Sequence, residues 1–192
     1  MSPKMGMEEI RREQSIAAAR HCILTYGMPH FSIKDVAAAA GVSTGIIYHY
    51  FAGKNDLMAQ VLKASFSETE RAVEEAVTAA DTPDAKVKAY IDTVAAVPKE
   101  NPDFYRLLLN FLSEAPYREE IQSIVDKFFS NLTTFLTELL EDAQSPATPD
   151  ELARLMISQA MGLGLYEAVL PHHNVPHDSF VRIFQTYIDS RK

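Results

Sequence analysis

At 192 residues, with 47% hydrophobic and 23% charged side chains, the chain is long enough to bury a sizeable core, as one domain or as a small domain joined to a larger one. That composition excludes a disordered tail protein, and a net charge of -8 excludes a uniformly basic nucleic-acid coat. The charge is unevenly spread, since residues 1–54 hold six basic side chains against four acidic ones and net +2, which leaves -10 to the rest. Cys22 is the only cysteine, so no internal disulfide can form and a reducing, cytoplasmic setting is expected. The first residues are charged where a secretory leader carries its apolar run, and the most apolar stretch, 155–170, still holds Gln159 and Glu167. No membrane span is expected.

Helical periodicity runs through the whole sequence without an alternating strand pattern of useful length, which predicts an all-α fold. Ile16, Ala19, Ile23 and Tyr26 recur at helical spacing and Gly27 follows them, predicting a helix over about 8–26 with Cys22 packed beside its apolar stripe. Ser32 then precedes Ile33, Val36, Ala37 and Ala40, and Asp35 three residues after it completes a capping-box pattern for a short helix ending at Gly41. A second short helix follows at 44–50, and from Lys54 the helices lengthen. The first runs over about 54–79. Prolines at first-turn positions place others at about 83–97, 102–114, 116–142, 149–170 and 176–190, nine in all.

Residues 33–50 have the steric pattern of two crossed helices around a tight turn. Ala37 is small enough for close approach, Gly41 permits a positive φ in the turn, and Val36, Ala40, Val42, Ile47 and Tyr50 supply packing positions. Ser43, Thr44, Gly45, Tyr48 and His49 are left outside that packing, with Lys54 just beyond. In a recognition helix the first residues face base edges, while hydroxyls and a lysine hold phosphates. A solvated helix surface is the plainer alternative for the same residues.

The run Ser32-Ile33-Lys34-Asp35-Val36-Ala37, then Ala40-Gly41-Val42-Ser43-Thr44-Gly45-Ile46-Ile47-Tyr48-His49-Tyr50-Phe51, then Lys54 and Leu57, resembles the DNA-binding segment of the TetR family of transcriptional regulators over about residues 12–60. The resemblance implies an N-terminal three-helix helix-turn-helix domain, residues 1–53, and a larger helical effector-binding and dimerisation domain, residues 54–192. It implies phosphate contacts from Ser32, Ser43, Tyr48 and Lys54, and places Thr44, Gly45 and His49 nearest the bases. Three residues depart from the family's usual pattern: Ile46 after the glycine, Gly53 before the lysine and Asn55 after it.

Residues 55–192 carry no further family motif. Their aromatic and methionine side chains gather in the middle helices, and Tyr90, Phe104, Tyr105, Phe111, Phe128, Met161 and Tyr166 are the candidates for lining an effector pocket, with plain core packing as the competing role. Glu114 and Glu167 are read as solvated or capping carboxylates before ligand contacts. His172, His173 and His177 are read as a surface connection, with no metal and no cofactor expected. Small residues Ala160, Gly162 and Gly164, together with Phe180, Ile183, Phe184 and Tyr187, suit either a four-helix dimer interface or packing inside one subunit. No nucleophile–base pair, metal signature or glycine-rich phosphate loop suggests an enzyme. The expected partners are a double-stranded DNA operator, a small-molecule effector and a second copy of the chain, the function being that of a repressor released by its effector. The alternative is an architectural or protein-regulated DNA binder without an effector.

Overall fold

The computed structural model describes residues 3–142, 145, 147–170, 179 and 181–183. Eight α-helices follow one another among them: α1 (Pro3–Tyr26), α2 (Ile33–Ala39), α3 (Thr44–Tyr50), α4 (Lys54–Thr78), α5 (Pro83–Glu100), α6 (Pro102–Glu114), α7 (Glu119–Leu139) and α8 (Pro149–Val169). A single 3₁₀ turn (Ala115–Tyr117) separates α6 from α7, and the described residues contain no strand. The fold is all-α, as the periodicity predicts.

Local chemistry explains several helix starts. Thr82 accepts a hydrogen bond from the Ala85 N–H, and Pro83 fills the first turn of α5, where a missing N–H costs nothing. Thr148 and Glu151 form a complete capping box in front of Pro149 at the start of α8. Two prolines behave differently from expectation. α5 runs through buried Pro98 to Glu100 because the proline sits within a turn of the helix end, where the Asn101 N–H still closes on the Val97 carbonyl at 2.8 Å. Pro116 lies in the 3₁₀ turn, Arg118 leaves helical geometry with φ -138 and ψ 101, and α7 starts at Glu119. α1 starts at Pro3, earlier than its apolar stripe indicates. The expected final helix, with Phe180, Phe184 and Tyr187, lies outside the described residues, except that Ser179 and residues 181–183 are helical.

The chain divides into two compact units. The first comprises Met1–Phe66 with Leu107–Ile124, the second Ser67–Arg106 with Val125–Lys192. In the first, α1 packs on α2 and α2 on α3. Ala19, Cys22 and Ile23 of α1, Val36 and Ala37 of α2, and Ile47 of α3 are buried. Cys22 is core, and burial pushes its thiol pKa up, away from the reactive range. In the second unit α5 packs on α8, and the core joins Val87, Tyr90 and Ile91 of α5 to Leu136, Leu152, Met156 and Ala160.

Candidate nucleic-acid interface

The turn between α2 and α3 is built by its own sequence. The Ser32 side chain accepts from the Asp35 N–H at 3.3 Å, and Asp35 Oδ2 accepts from the Ser32 N–H at 2.8 Å and from its hydroxyl at 2.6 Å. Those bonds hold the Asp35 carboxyl below the usual range. At the other end the Gly41 N–H bonds the Ala38 carbonyl at 3.2 Å and the Val42 N–H bonds the Ala37 carbonyl at 2.9 Å. That pair of bonds is a Schellman motif, and it needs the positive φ of 66° that Gly41 supplies.

α3 then presents two different sides. Ile47 is fully buried and anchors it, while Gly45, Tyr48 and His49 are exposed and Thr44 and Tyr50 half-buried. Ser43 caps α3 through its backbone, which leaves its exposed hydroxyl out of the cap. The His49 ring stands edge-on to Tyr50, with centroids 4.9 Å apart.

Lys54 does something its spacing does not reveal. Its ammonium donates to the Phe31 carbonyl at 2.7 Å and to the Pro29 carbonyl at 3.4 Å, and lies 4.2 Å from the centroid of the Phe31 ring. The first residue of α4 thereby ties down the loop between α1 and α2. Burial, and then the neighbouring Arg118 charge, pull the Lys54 pKa down, with Glu114 and Asp35 acting against them.

Residues that carry no motif signal complete the frame. Arg12 donates to Gln60 Oε1 at 2.7 Å and lies over the Phe51 ring at 5.7 Å; Gln60 donates to Asp56 Oδ1 at 3.2 Å. The other Asp56 oxygen accepts the Ala52 N–H at 2.8 Å, a cap from within α4 that compensates for the missing side chain at Gly53. Asn55 accepts from Arg118 at 2.9 Å, and Arg118 also pairs with Glu114 at 2.7 Å, so Glu114 is engaged inside the protein. Only the charge types were legible beforehand, because these partners lie 48 and 63 residues apart in sequence.

Residues 16–61 match the bacterial regulatory proteins of the tetR family, and residues 83–191 match the C-terminal part of BetI-type transcriptional repressors. The HTH-type transcriptional regulator BetI of Pectobacterium atrosepticum is 30% identical over 98% of this chain and 97% of its own. The chain belongs to the TetR family of transcriptional regulators. Two solved structures share its fold. One is a transcriptional regulator of Pseudomonas aeruginosa PAO1, with TM-score 0.84 and 21% identity over 99% of this chain and 91% of that one. The other is a TetR transcription regulator of Haloarcula marismortui, with TM-score 0.81 and 19% identity over 95% and 98%. As a member of the TetR family the protein is a DNA-binding transcription regulator and not an enzyme. No helix among the described residues is long and apolar enough to cross a membrane.

The seven aromatic and methionine residues singled out for a TetR-type effector pocket are distributed unevenly. Tyr90, Phe104, Tyr105 and Phe128 are buried in the second unit, Met161 is half-buried and Tyr166 exposed, and Phe111 is fully buried in the first unit. Tyr105 stacks edge-on with Phe104 at 5.1 Å, and Tyr90 tilts against Phe135 at 6.4 Å. Within the second unit an open groove of about 860 Å³ is lined by Phe129, Thr133, Thr134 and Thr137 of α7 with Asp150 and Arg154 of α8, none of the seven among its walls. Its chemistry is largely self-satisfied: Arg154 is held by Asp150, and Thr133 and Thr137 donate to carbonyls one turn back. Ala160 faces the core and Gly164 is buried, whereas Gly162 is exposed and a Cβ there would meet no neighbouring element within 4 Å. His172, His173 and His177 lie outside the described residues.

Proposed function

We propose that this TetR-family protein is a repressor that binds a near-palindromic operator as a dimer and is released by a small-molecule effector. Residues 1–53 read DNA, and residues 54–192 receive the effector and form the dimer. The exposed side of α3 carries the reading: Gly45, Tyr48 and His49 face outward while Ile47, on the opposite side, is fixed in the core. Thr44, Gly45 and His49 lie nearest the bases, and Ser32, Ser43 and Tyr48 touch phosphates through hydroxyls. Lys54 contributes charge beside the phosphates and keeps the loop from Gly27 to Ser32 in place through the carbonyls it holds. Effector binding displaces α4, and with it the spacing of the two recognition helices, so effector and operator oppose one another by the same factor in both directions.

The roles are separable by electrophoretic mobility shift and by selection from random duplex DNA. Tyr48→Ala weakens binding to every sequence by a similar factor and lowers the salt slope only slightly, since it removes a neutral phosphate contact. His49→Ala leaves affinity for non-specific DNA unchanged and alters the selected site at one or two positions in each half. Recovery of an unaltered site by His49→Ala assigns base reading to other residues.

A further inference from the structure

The end of the recognition helix is held by a chain of hydrogen bonds that joins three parts of the first unit. α3 is anchored inward at Ile47 and, one turn on, at Phe51, which are 0% and 2% exposed. Phe51 closes α3 with its N–H on the Ile47 carbonyl at 3.0 Å, but it already lies beyond the helix, in extended backbone with φ -133 and ψ 135. What holds it there comes from α1 and α4. The Arg12 guanidinium of α1 lies over the Phe51 ring at 5.7 Å and donates to Gln60 Oε1 of α4 at 2.7 Å. Gln60 Nε2 donates to Asp56 Oδ1 at 3.2 Å, and Asp56 Oδ2 accepts the N–H of Ala52, the residue after Phe51, at 2.8 Å. Only an amide fits the middle position. Arg12 can only donate and the Asp56 carboxylate can only accept, so Gln60 must turn its oxygen to one and its nitrogen to the other. An acid or an apolar side chain in its place breaks the chain.

We propose that Arg12, Gln60 and Asp56 are positioning residues for operator recognition: without touching DNA, they set the tilt of α3 against α1 and α4. The assignment rests on the reading that the exposed side of α3 meets the bases. A helix of seven residues has little of its own to fix its direction, and here one of its two anchors stands past its last turn. Loosening Phe51 and Ala52 lets α3 turn about Ile47, which carries Tyr48 and His49 out of line with the groove. Hydrogen bonds to base edges are directional and demand the right tilt. The electrostatic hold on phosphates does not depend on it, so the chain of bonds separates sequence preference from general affinity.

The test is a mobility-shift titration of the full chain, Gln60→Met, Arg12→Ala and the double variant, each well below its melting temperature and over a range of salt. The probes are a duplex selected by the parent from random DNA and an unrelated duplex of the same length. Gln60→Met removes no charge, so it is expected to lose about tenfold on the selected duplex, to stay within a factor of about two on the unrelated one, and to keep the parent's salt slope. Its selected site keeps the same preferred bases, because every residue facing them is intact. Arg12→Ala loses at least as much preference, and the double variant no more than Arg12→Ala, since the two residues act in one chain. The assignment is overturned if both single variants keep the parent's preference even where they melt lower, which leaves them a structural role alone. It is overturned equally if Arg12→Ala weakens both duplexes alike with a shallower salt slope, which makes Arg12 a phosphate ligand, or if the losses multiply in the double variant. A parent without any preference among duplexes removes base reading by α3 and this proposal with it; a parent whose preference survives in both variants keeps that reading and removes only the proposal.

Discussion

Asp35 and Lys54 show how much of the helix-turn-helix frame depends on bonds that single side chains make inside the protein. Asp35 closes the capping box with Ser32, and the bonds from the Ser32 side chain and backbone hold its carboxyl below 3.8. A carboxylate whose pKa is depressed by folding contributes stability above its unfolded pKa, and that contribution is lost as pH falls through the folded value. Asp35→Asn is therefore expected to melt lower than the parent near neutral pH, with the gap closing as pH drops below about 4. Melting curves across that window decide it: a gap constant with pH assigns the loss to helix geometry and not to the charge. The box itself is legible in sequence because Ser32 and Asp35 are three residues apart, which fixes their meeting in any helix that starts there. The partners of Lys54 are not legible, because carbonyls carry no sequence identity. A lysine after a recognition helix reads as a free phosphate ligand, yet its ammonium is already shared between the Pro29 and Phe31 carbonyls and the Phe31 ring.

At the scale of single helices, two glycines with the same intrinsic cost have opposite reasons to be there. Glycine inside a helix is about 1 kcal/mol worse than alanine, so replacing it is expected to stabilise wherever a methyl fits. In α3 a Cβ on Gly45 would meet nothing closer than the Ser43 hydroxyl at 3.7 Å, so Gly45→Ala should raise the melting temperature. If the backbone at Gly45 approaches DNA, the same substitution lowers operator affinity, and the two measurements move in opposite directions. Unchanged affinity in a stabilised Gly45→Ala would leave α3 without a close approach at that position. In α8 the methyl of Gly164→Ala would enter the buried Tyr105 ring, and overpacking of about 1–3 kcal/mol outweighs the propensity gain, so this variant melts lower. Helix starts were legible where proline follows a capping threonine, as at Thr82-Pro83 and Thr148-Pro149, because both signals act within one turn. Pro98 and Pro116 misled because a proline tolerated near a helix end looks in sequence like one that stops it. The contact of Tyr105 with Gly164 joins residues of α6 and α8, and no local pattern encodes it.

In the proposed dimer two recognition helices are presented together, and the outer side of α8 is the face we expect to carry the pairing. Leu155, Gln159, Gly162, Tyr166 and Val169 follow one another at spacings of three and four, all of them exposed. Leu155 and Val169 are 45% and 57% exposed at opposite ends of that stripe. The opposite side, with Leu152, Met156 and Ala160, is already in the core. A helix apolar on both sides needs a second cover for its outer one, and a two-fold partner presenting the same stripe supplies a self-complementary face with Gly162 allowing the helices to approach closely. In the proposed dimer the two α3 helices would have to lie about 34–36 Å apart to enter successive major grooves. Linking the half-sites makes the second contact intramolecular, which multiplies affinity by roughly 10²–10⁴ over one half-site alone. Leu155→Asp and Val169→Asp together place carboxylates on the proposed pairing face while leaving the subunit core untouched. By analytical ultracentrifugation the parent should sediment at about twice its 21.4 kDa chain mass and the double variant at that mass, with unaltered helical content by circular dichroism. Operator affinity should fall at least a hundredfold while single half-site affinity stays within a factor of about two. A double variant that remains paired and keeps its operator moves the interface away from α8, and a parent that sediments as a single chain removes the paired reading of DNA altogether.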